Sequence, residues 1–322
     1  MPAALDPLRH PVFRMLWIAT LVSNIGAWVQ NTAAAWTMTV LDGSPLMVGL
    51  VQAATMLPVF LLALPAGALA DIVDRRRFLI GAQLWMTGVA LALCLLMGTG
   101  TLGPWGLLAL TFALNIGAAI NFPTWAAVTP EVVPRPDLPS AIVLNGIGFN
   151  LSRAIGPALG GVLIGVAGAE AAFALNAACV SVLVAALLLW RRAPTNNRLP
   201  PERLASAMRA GLSFVLASPA VRGATIRGTV FFLFAASIWG LLPLVVRVQL
   251  GLGPEAYGLM LGAMGAGAVA AGLVLPALRA LTDRSTFVIL ATALGGAALV
   301  MLGWSRHWLP SGLAMAAFGA SW

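Results

Sequence analysis

LPAGALADIVDRRRF, residues 64–78, separates two apolar runs with a cluster of charge. A shorter version, LPALRALTDRSTF, occupies residues 275–287. Both contain Leu-Pro-Ala, then Asp-Arg, two further residues and Phe, with a two-residue gap between them. A second pair keeps a similar offset. RHPVFR at 9–14 and RGATIR at 222–227 place two arginines at equal spacing ahead of an apolar run. Self-similarity that stays in register with the apolar runs marks a protein built from two like halves.

The apolar runs set the solvent. The chain has 322 residues, of which 60% are hydrophobic and 9% charged. A soluble domain is nearer 25% charged. Mean hydropathy is +0.95. A spanning helix needs about 20 mostly apolar residues. Runs of that kind are expected at 13–40, 46–70, 78–99, 105–129, 140–167, 171–190, 223–249, 255–278 and 286–304, with a tenth from 308 to the end. Their length, and the lack of strict alternation, predicts helices rather than barrel strands. The fold class is therefore an all-α membrane protein.

Arginine placement orients it. The net charge is +8, and every basic side chain apart from the two histidines is arginine. With the N-terminus inside, fifteen of the eighteen arginines fall on the inner side; only Arg247 and Arg306 fall outside, and Arg153 lies within a span. This predicts a multi-pass protein of the plasma or inner membrane with a cytoplasmic N-terminus. Trp17, Trp36, Trp105, Trp190, Trp304 and Trp308 fall near span ends, where interfacial aromatics collect.

The longest polar stretch covers 191–222. Its first part is rich in Pro, Asn and Arg, and PERLASAMRAGLSFVLAS at 201–218 has the spacing of an amphipathic surface helix. It divides the protein into a six-span bundle (1–190), a cytoplasmic linker (191–221) and a second, incomplete bundle (222–322).

Several function classes are excluded. The basic charge is scattered among loops rather than gathered on one face, so no nucleic acid partner is expected. Cys94 and Cys179 sit in apolar spans without a His or Cys at ligand spacing, and His10 and His307 are far apart. No metal site, cofactor motif or nucleophile-and-base constellation is present, so the protein is not expected to be an enzyme. The lack of a phosphate-binding loop also disfavours an ATP-driven pump.

Span five reads GFNLSRAIGPALGG at 148–161. Gly146, Gly148, Gly156, Gly160 and Gly161 remove side chains so that helices can approach closely in lipid. Pro157 removes a backbone hydrogen bond. Arg153 lies about 13 residues into the span, roughly 20 Å deep. A charge that deep costs about 2.5–3.5 kcal/mol on insertion scales and needs a partner or an aqueous cavity. No complete span carries a midplane carboxylate. The available polar neighbours are amides: Asn24, Gln30, Asn31, Gln52, Asn115, Asn121, Asn145 and Asn150. Trp28, Trp36 and Trp125 could stack on a bound molecule.

These motifs resemble the major facilitator superfamily. GALADIVDRRR resembles its loop signature through Gly67, Asp71, Arg75, Arg76 and Arg77, departing at Ile72 and Asp74. SRAIGPALGG looks like the span-five Gly-Pro motif of the antiporters. NFPTWAAVTPEVVPRPDLPSAIVLN at 121–145 looks like the enterobactin-exporter-like efflux subgroup. The resemblance implies twelve spans in two parallel halves, and thus a protein truncated at its C-terminus within the tenth span. It implies secondary active efflux of a small amphipathic compound, drug- or siderophore-like, by alternating access, with the proton as coupling ion and a monomer in the bilayer. Gly67, Asp71, Asp74, Arg75, Arg76 and Arg77 would form a conformational latch. Arg153, Gly156, Pro157, Gly160 and Gly161 would form a gating motif. Asn24, Trp28, Asn31, Asn115, Asn121, Asn150 and Arg153 would line the substrate cavity. Asp42, Glu131 and Glu255 lie near span ends, and the missing spans are the other place for a coupling carboxylate. The other outcome is a truncated, non-transporting fragment or a scaffold.

Overall fold

A computed structural model describes residues 5–191, 213, 216–281 and 283–322. Among these residues there is no β-strand. A 3-10 turn, Asp6–Arg9, leads into α1 (Pro11–Leu41), α2 (Pro45–Ile72), α3 (Arg75–Gly98) and α4 (Pro104–Val132). After a short turn at Arg135–Asp137, one long helical run, Leu138–Leu189, folds back on itself at Gly168. Its arms are 138–167 (α5) and 169–189 (α6). Next come α7 (Pro219–Leu244), which ends in a π turn at Val245–Gln249, α8 (Pro254–Leu281), α9 (Arg284–Trp304) and α10 (Trp308–Ser321). The amphipathic helix expected at 201–218 lies mainly outside the described residues.

Eight of the described helical segments are long and apolar enough to cross a membrane. One of them, the run broken at Gly168, holds two crossing lengths. The break needs glycine. Gly168 has φ +84° and ψ 169°, a backbone region that residues with a Cβ avoid. α10 has 14 residues, about 21 Å of helix, short of the roughly 30 Å hydrocarbon core.

Helix starts follow local chemistry. Pro11, Pro45, Pro104, Pro219 and Pro254 occupy first turns, where a missing N–H leaves no bond unmade. The sequence repeat acts here too. The Asp74 carboxylate accepts from the Arg77 N–H at 2.8 Å and starts α3. The Asp283 carboxylate accepts from the Thr286 N–H at 3.1 Å and starts α9. The Asp-Arg-x-x-Phe repeat is thus the same N-cap used twice. We expect Asp74→Ala and Asp283→Ala each to cost about 1 kcal/mol in thermal unfolding. Wild-type stability in both variants would show that the cap contributes nothing.

The core is uneven along the membrane normal. On the face away from the N-terminus, one large apolar cluster joins both halves. It includes Ala33, Met38 and Trp36 of α1, Phe173 of α6, Ile238 of α7, Tyr257 and Met264 of α8, and Phe318 of α10. On the N-terminal face two smaller clusters draw on α1, α3, α4, α5 and α6 and their connections: Leu16, Leu79, Val128, Leu183 and Leu187, and separately Phe13, Val133, Ala141 and Leu144. Among the described residues neither includes a side chain from α7–α10. Among the described residues, the core shared between the halves lies at the end away from the N-terminus.

Trp105, Trp304 and Trp308 are exposed, as interfacial residues are. Trp36 and Trp190 are not: both are buried. Trp36 stacks on Tyr257, ring centroids 6.1 Å apart, so it belongs to the shared core instead of the lipid boundary.

Candidate functional site

In the charged loop between α2 and α3, Arg75 and Arg76 bind within the first half, while Asp74 and Arg77 are exposed. Arg75 donates to the Glu131 carboxylate at 2.8 Å and to the Ala127 carbonyl at 3.2 Å, tying α3 to the end of α4. Arg76 donates to the carbonyls of Leu187 and Leu188, both at 2.8 Å, in the last turn of α6, where carbonyls run out of helical donors. Asp74 caps α3, and Arg77 is exposed. A Cβ on Gly67 would lie 3.8 Å from Pro123 of α4, an ordinary contact, so the approach of α2 to α4 here does not require glycine. The side chain of Asp71 lies outside the described residues. Nearby, His10 and Asp137 pair at 2.8 Å across the start of α1 and the loop before α5.

α5 bears two stripes of small residues. Gly148, Ser152, Gly156 and Gly160 recur every fourth position and face α1. A Cβ on Gly148 would meet the Trp17 ring at 3.4 Å, and one on Gly160 would meet Val29 Cα at 3.1 Å. Gly156 presses on Trp28, and the Ser152 hydroxyl donates to the Gly148 carbonyl at 2.9 Å. The second stripe, Ala154, Ala158, Gly161 and Gly165, faces α8. There the backbones nearly touch: a Cβ on Gly161 would lie 2.8 Å from Gly258 Cα, and one on Gly265 would lie 2.8 Å from Ala154 Cα. The carbonyl of Pro157 abuts Gly258. The expected gating motif therefore divides its work: Gly156 and Gly160 pack within the first half, while Gly161 and Pro157 form the crossing to the second.

Closer to the N-terminal face, below that crossing, a cavity of about 1000 Å³ opens between α5, α8, α9 and α10. Arg153 and Asn150 of α5 line it, opposite Ala268 of α8, Leu290 of α9, and Ala316 and Trp322 at α10. These two are the expected cavity residues that the structure brings together. Asn24, Trp28, Asn31, Asn115 and Asn121 are not on its wall. Asn24 and Asn31 are half-buried on α1. Asn115 is buried and donates to its own helix at Thr111, 2.9 Å. The Asn121 carbonyl oxygen is buried without a partner among the described residues. Trp28 lies between Phe149 and Trp239, with centroids at 6.4 and 5.8 Å, where α1 meets α7. The second-half lining, Phe287, Leu290 and Trp322 among it, was not anticipated from sequence. The only available signal was the Gly/Ala-rich face GLMLGAMGAGAVAAG at 258–272, which also fits simple packing.

Two of the three expected carboxylates are accounted for. The hydroxyl and backbone N–H of Ser44 donate to Asp42, the latter at 3.0 Å, and hold it below the ordinary carboxylate range. Its contribution is present at neutral pH and is lost only as pH falls into the acid range, so it does not titrate near neutrality. Glu131 is paired with Arg75. Glu255 is exposed at the start of α8, beside Gly165 of α5.

Comparison with known proteins agrees with this architecture. The model of the transmembrane secretion effector family matches residues 2–322. The enterobactin exporter EntS of Citrobacter koseri is 24% identical over 319 residues, covering 96% of this chain and 74% of the exporter. The staphyloferrin A transporter of Staphylococcus aureus is 27% identical over 164 residues, half of this chain and 41% of that one. The fold matches a bacterial homolog of the human lysosomal transporter Spinster with TM-score 0.71 at 16% identity, covering 98% of this chain and 74% of that one. It matches the nucleoside transporter NupG with TM-score 0.71 at 12% identity, covering 96% and 79%. The matched length and the all-helical membrane fold lead to one assignment: the chain belongs to the transmembrane secretion effector family of major facilitator superfamily transporters.

Proposed function

We propose that the protein works as a secondary active exporter of a small amphipathic compound, drug- or siderophore-like, by alternating access in the plasma membrane. Its halves are 1–190 and 222–322, joined by a cytoplasmic linker at 191–221, and the proton gradient drives it as a monomer. The observation that carries this reading is the uneven core. Both halves share apolar packing on the face away from the N-terminus, and on the N-terminal face the described clusters belong to the first half alone. With the N-terminus cytoplasmic, the shared core lies at the outer face, as in a carrier closed to the outside, the state in which an exporter loads. The named relatives, one a siderophore exporter and one a siderophore transporter, support the substrate class.

In this reading the loop at 67–77 is a latch with two parts. Asp74, Arg75 and Arg76 brace the first half through α4 and α6. Asp71 and Arg77 engage the second half in the opposite state. The glycine crossing of α5 and α8 is the pivot about which the halves rock.

The test is transport by the purified protein in proteoliposomes with an imposed pH gradient, followed with a panel of fluorescent amphipathic compounds. Gradient-driven movement that collapses with a protonophore is expected. Asp71→Asn should lower the rate by about tenfold, the scale of one lost charge-assisted contact, with normal insertion. Protein-containing and empty liposomes behaving alike across the panel would reject the exporter reading. An Asp71→Asn protein with the wild-type rate would reject the latch.

A further inference from the structure

We infer that the first half binds ordered water at mid-depth, in a polar layer built by Thr20 and Ser23 of α1, Gln83 of α3, and Asn121 and Thr124 of α4. The layer lies wholly within the first half. It does not depend on which compound the protein carries, and so goes beyond the exporter reading.

Its position follows from the apolar clusters. Leu16 and Ala19 of α1, Leu79 of α3 and Val128 of α4 belong to the larger cluster on the N-terminal face, and Ile80 and Trp125 pack against it. Val29, Met86 and Leu114 belong to the large cluster on the other face, and Ile25 and Ala118 pack against that one. The same two clusters thus bracket 20–24 on α1, 81–85 on α3 and 119–124 on α4, which puts the three stretches at one depth. α3 and α4 meet beside it: a Cβ on Gly117 would lie 3.2 Å from the Ala82 carbonyl and 3.0 Å from the Met86 sulfur. Among the described side chains, the buried apolar ones in these stretches are Ala82 and Ala119, both small and in neither cluster. The other buried side chains there are polar: Ser23, Gln83 and Thr124.

The polar atoms outnumber their partners. The nitrogen and the oxygen of the Gln83 amide are both buried without a hydrogen bond among the described residues, as are the Thr20 hydroxyl and the Asn121 carbonyl oxygen. Pro123 has no N–H to give the Ala119 carbonyl, which frees a backbone acceptor of α4 at the same depth. Thr124 donates to the Ile120 carbonyl at 2.7 Å, and its oxygen can still accept. Unpaired polar groups are costly to bury, and lipid offers nothing to relieve them. The ligand is therefore small, and it both donates and accepts. A cation would satisfy the oxygens and oppose the Gln83 N–H groups, and an anion would do the reverse. Residues 20–24, 81–85 and 119–124 include no charged side chain to balance either. Water fits, since a buried water makes about three hydrogen bonds to such groups. The apolar clusters close the layer on both sides, so the water is internal and forms no path across the membrane.

The experiment is radiolytic hydroxyl-radical labelling of the whole chain in phosphatidylcholine nanodiscs, read by mass spectrometry. An internal water generates radicals in place and oxidises the side chains beside it, however deeply they are buried. Met86 is 5% exposed and lies against the layer. Met260 is 4% exposed within the large apolar cluster and serves as the dry control. Met86 should be oxidised severalfold faster than Met260. Gln83→Leu should bring Met86 down to the Met260 rate and lower the melting temperature, because the other polar atoms lose the water they share with the amide. Thr20→Val, a milder change, should lower Met86 oxidation in part. Equal oxidation of Met86 and Met260 in the wild-type protein would overturn the inference without any variant. So would a Gln83→Leu protein that melts at or above the wild-type temperature, the behaviour of an amide buried with no partner at all. Fast Met86 oxidation that persists in Gln83→Leu would put the water elsewhere and overturn its assignment to this layer.

Discussion

Gly161→Leu is expected to destabilise the protein by about 3 kcal/mol and to abolish transport. Overpacking a well-filled site usually costs about 1–3 kcal/mol, and this site is at the upper end. A Cβ at Gly161 would lie 2.8 Å from Gly258 Cα and 3.0 Å from its nitrogen. These atoms are backbone on both helices, so rotating a side group gives no relief. Relief requires α5 and α8 to separate over several turns, and this opens the shared core on the face away from the N-terminus. Gly146→Ala is the control. Nothing stands within 4 Å of a Cβ there, so the variant should be neutral or slightly stabilising through better helix propensity. Thermal unfolding in detergent and proteoliposome transport read both effects. If Gly161→Leu melts with the wild type, the crossing is not a tight one, and its role as pivot fails with it.

The second large effect is expected from Arg75→Ala, at about 2–3 kcal/mol. The side chain of Glu131 is 14% exposed and that of Arg75 25%, so the pair is partly desolvated and more than a surface contact. Removing the arginine takes the charged donor from the part-buried Glu131 carboxylate, and that penalty exceeds the net worth of the intact pair. Residual exposure keeps the cost below that of a fully buried pair. Arg75→Lys should restore part of it, because one ammonium can reach Glu131 but cannot reproduce the fork that also holds Ala127. Glu131→Gln should cost less than Arg75→Ala, because an amide oxygen still accepts from the guanidinium. Differential thermal shifts in high and low salt measure all three. If Arg75→Ala costs no more than Arg77→Ala, whose side chain is exposed, the bracing of α3 on α4 contributes nothing.

Much of the architecture was legible without coordinates, because lipid leaves few options. Apolar runs of about 20 residues can satisfy their backbone groups only as helices or closed barrels, and the period chose helices. Each expected span corresponds to a helix in the structure, α10 being the short tenth. The repeat at 64–78 and 275–287 predicted a two-half plan, and its Asp-Arg-x-x-Phe core proves to be a local capping device. Capping depends on residues three apart, so sequence spacing suffices to find it.

Partnerships across helices were not legible. Arg75, Arg76 and Arg77 are identical in sequence, yet one binds Glu131, one closes the end of α6 and one faces solvent. Which does which follows from the 100° turn between successive residues and from the neighbour each direction meets. The same rotation splits the glycines of span five between α1 and α8. It also sends Asn115 back to its own helix and sets Asn150 and Arg153 on the cavity wall. Trp36 sits at a span end by count, but the second half covers it with Tyr257.

The sequence alone determined the protein's solvent, its helical character, its repeat and the presence of a deep arginine, since all of these depend on composition or on spacing along one helix. Only the tertiary structure decided that the halves share a core at one end, that α5 touches α8 backbone to backbone, and that Arg153 faces a cavity with no acceptor from the described residues. Those facts depend on how helices far apart in sequence rotate and cross, and no local pattern of residues encodes that rotation.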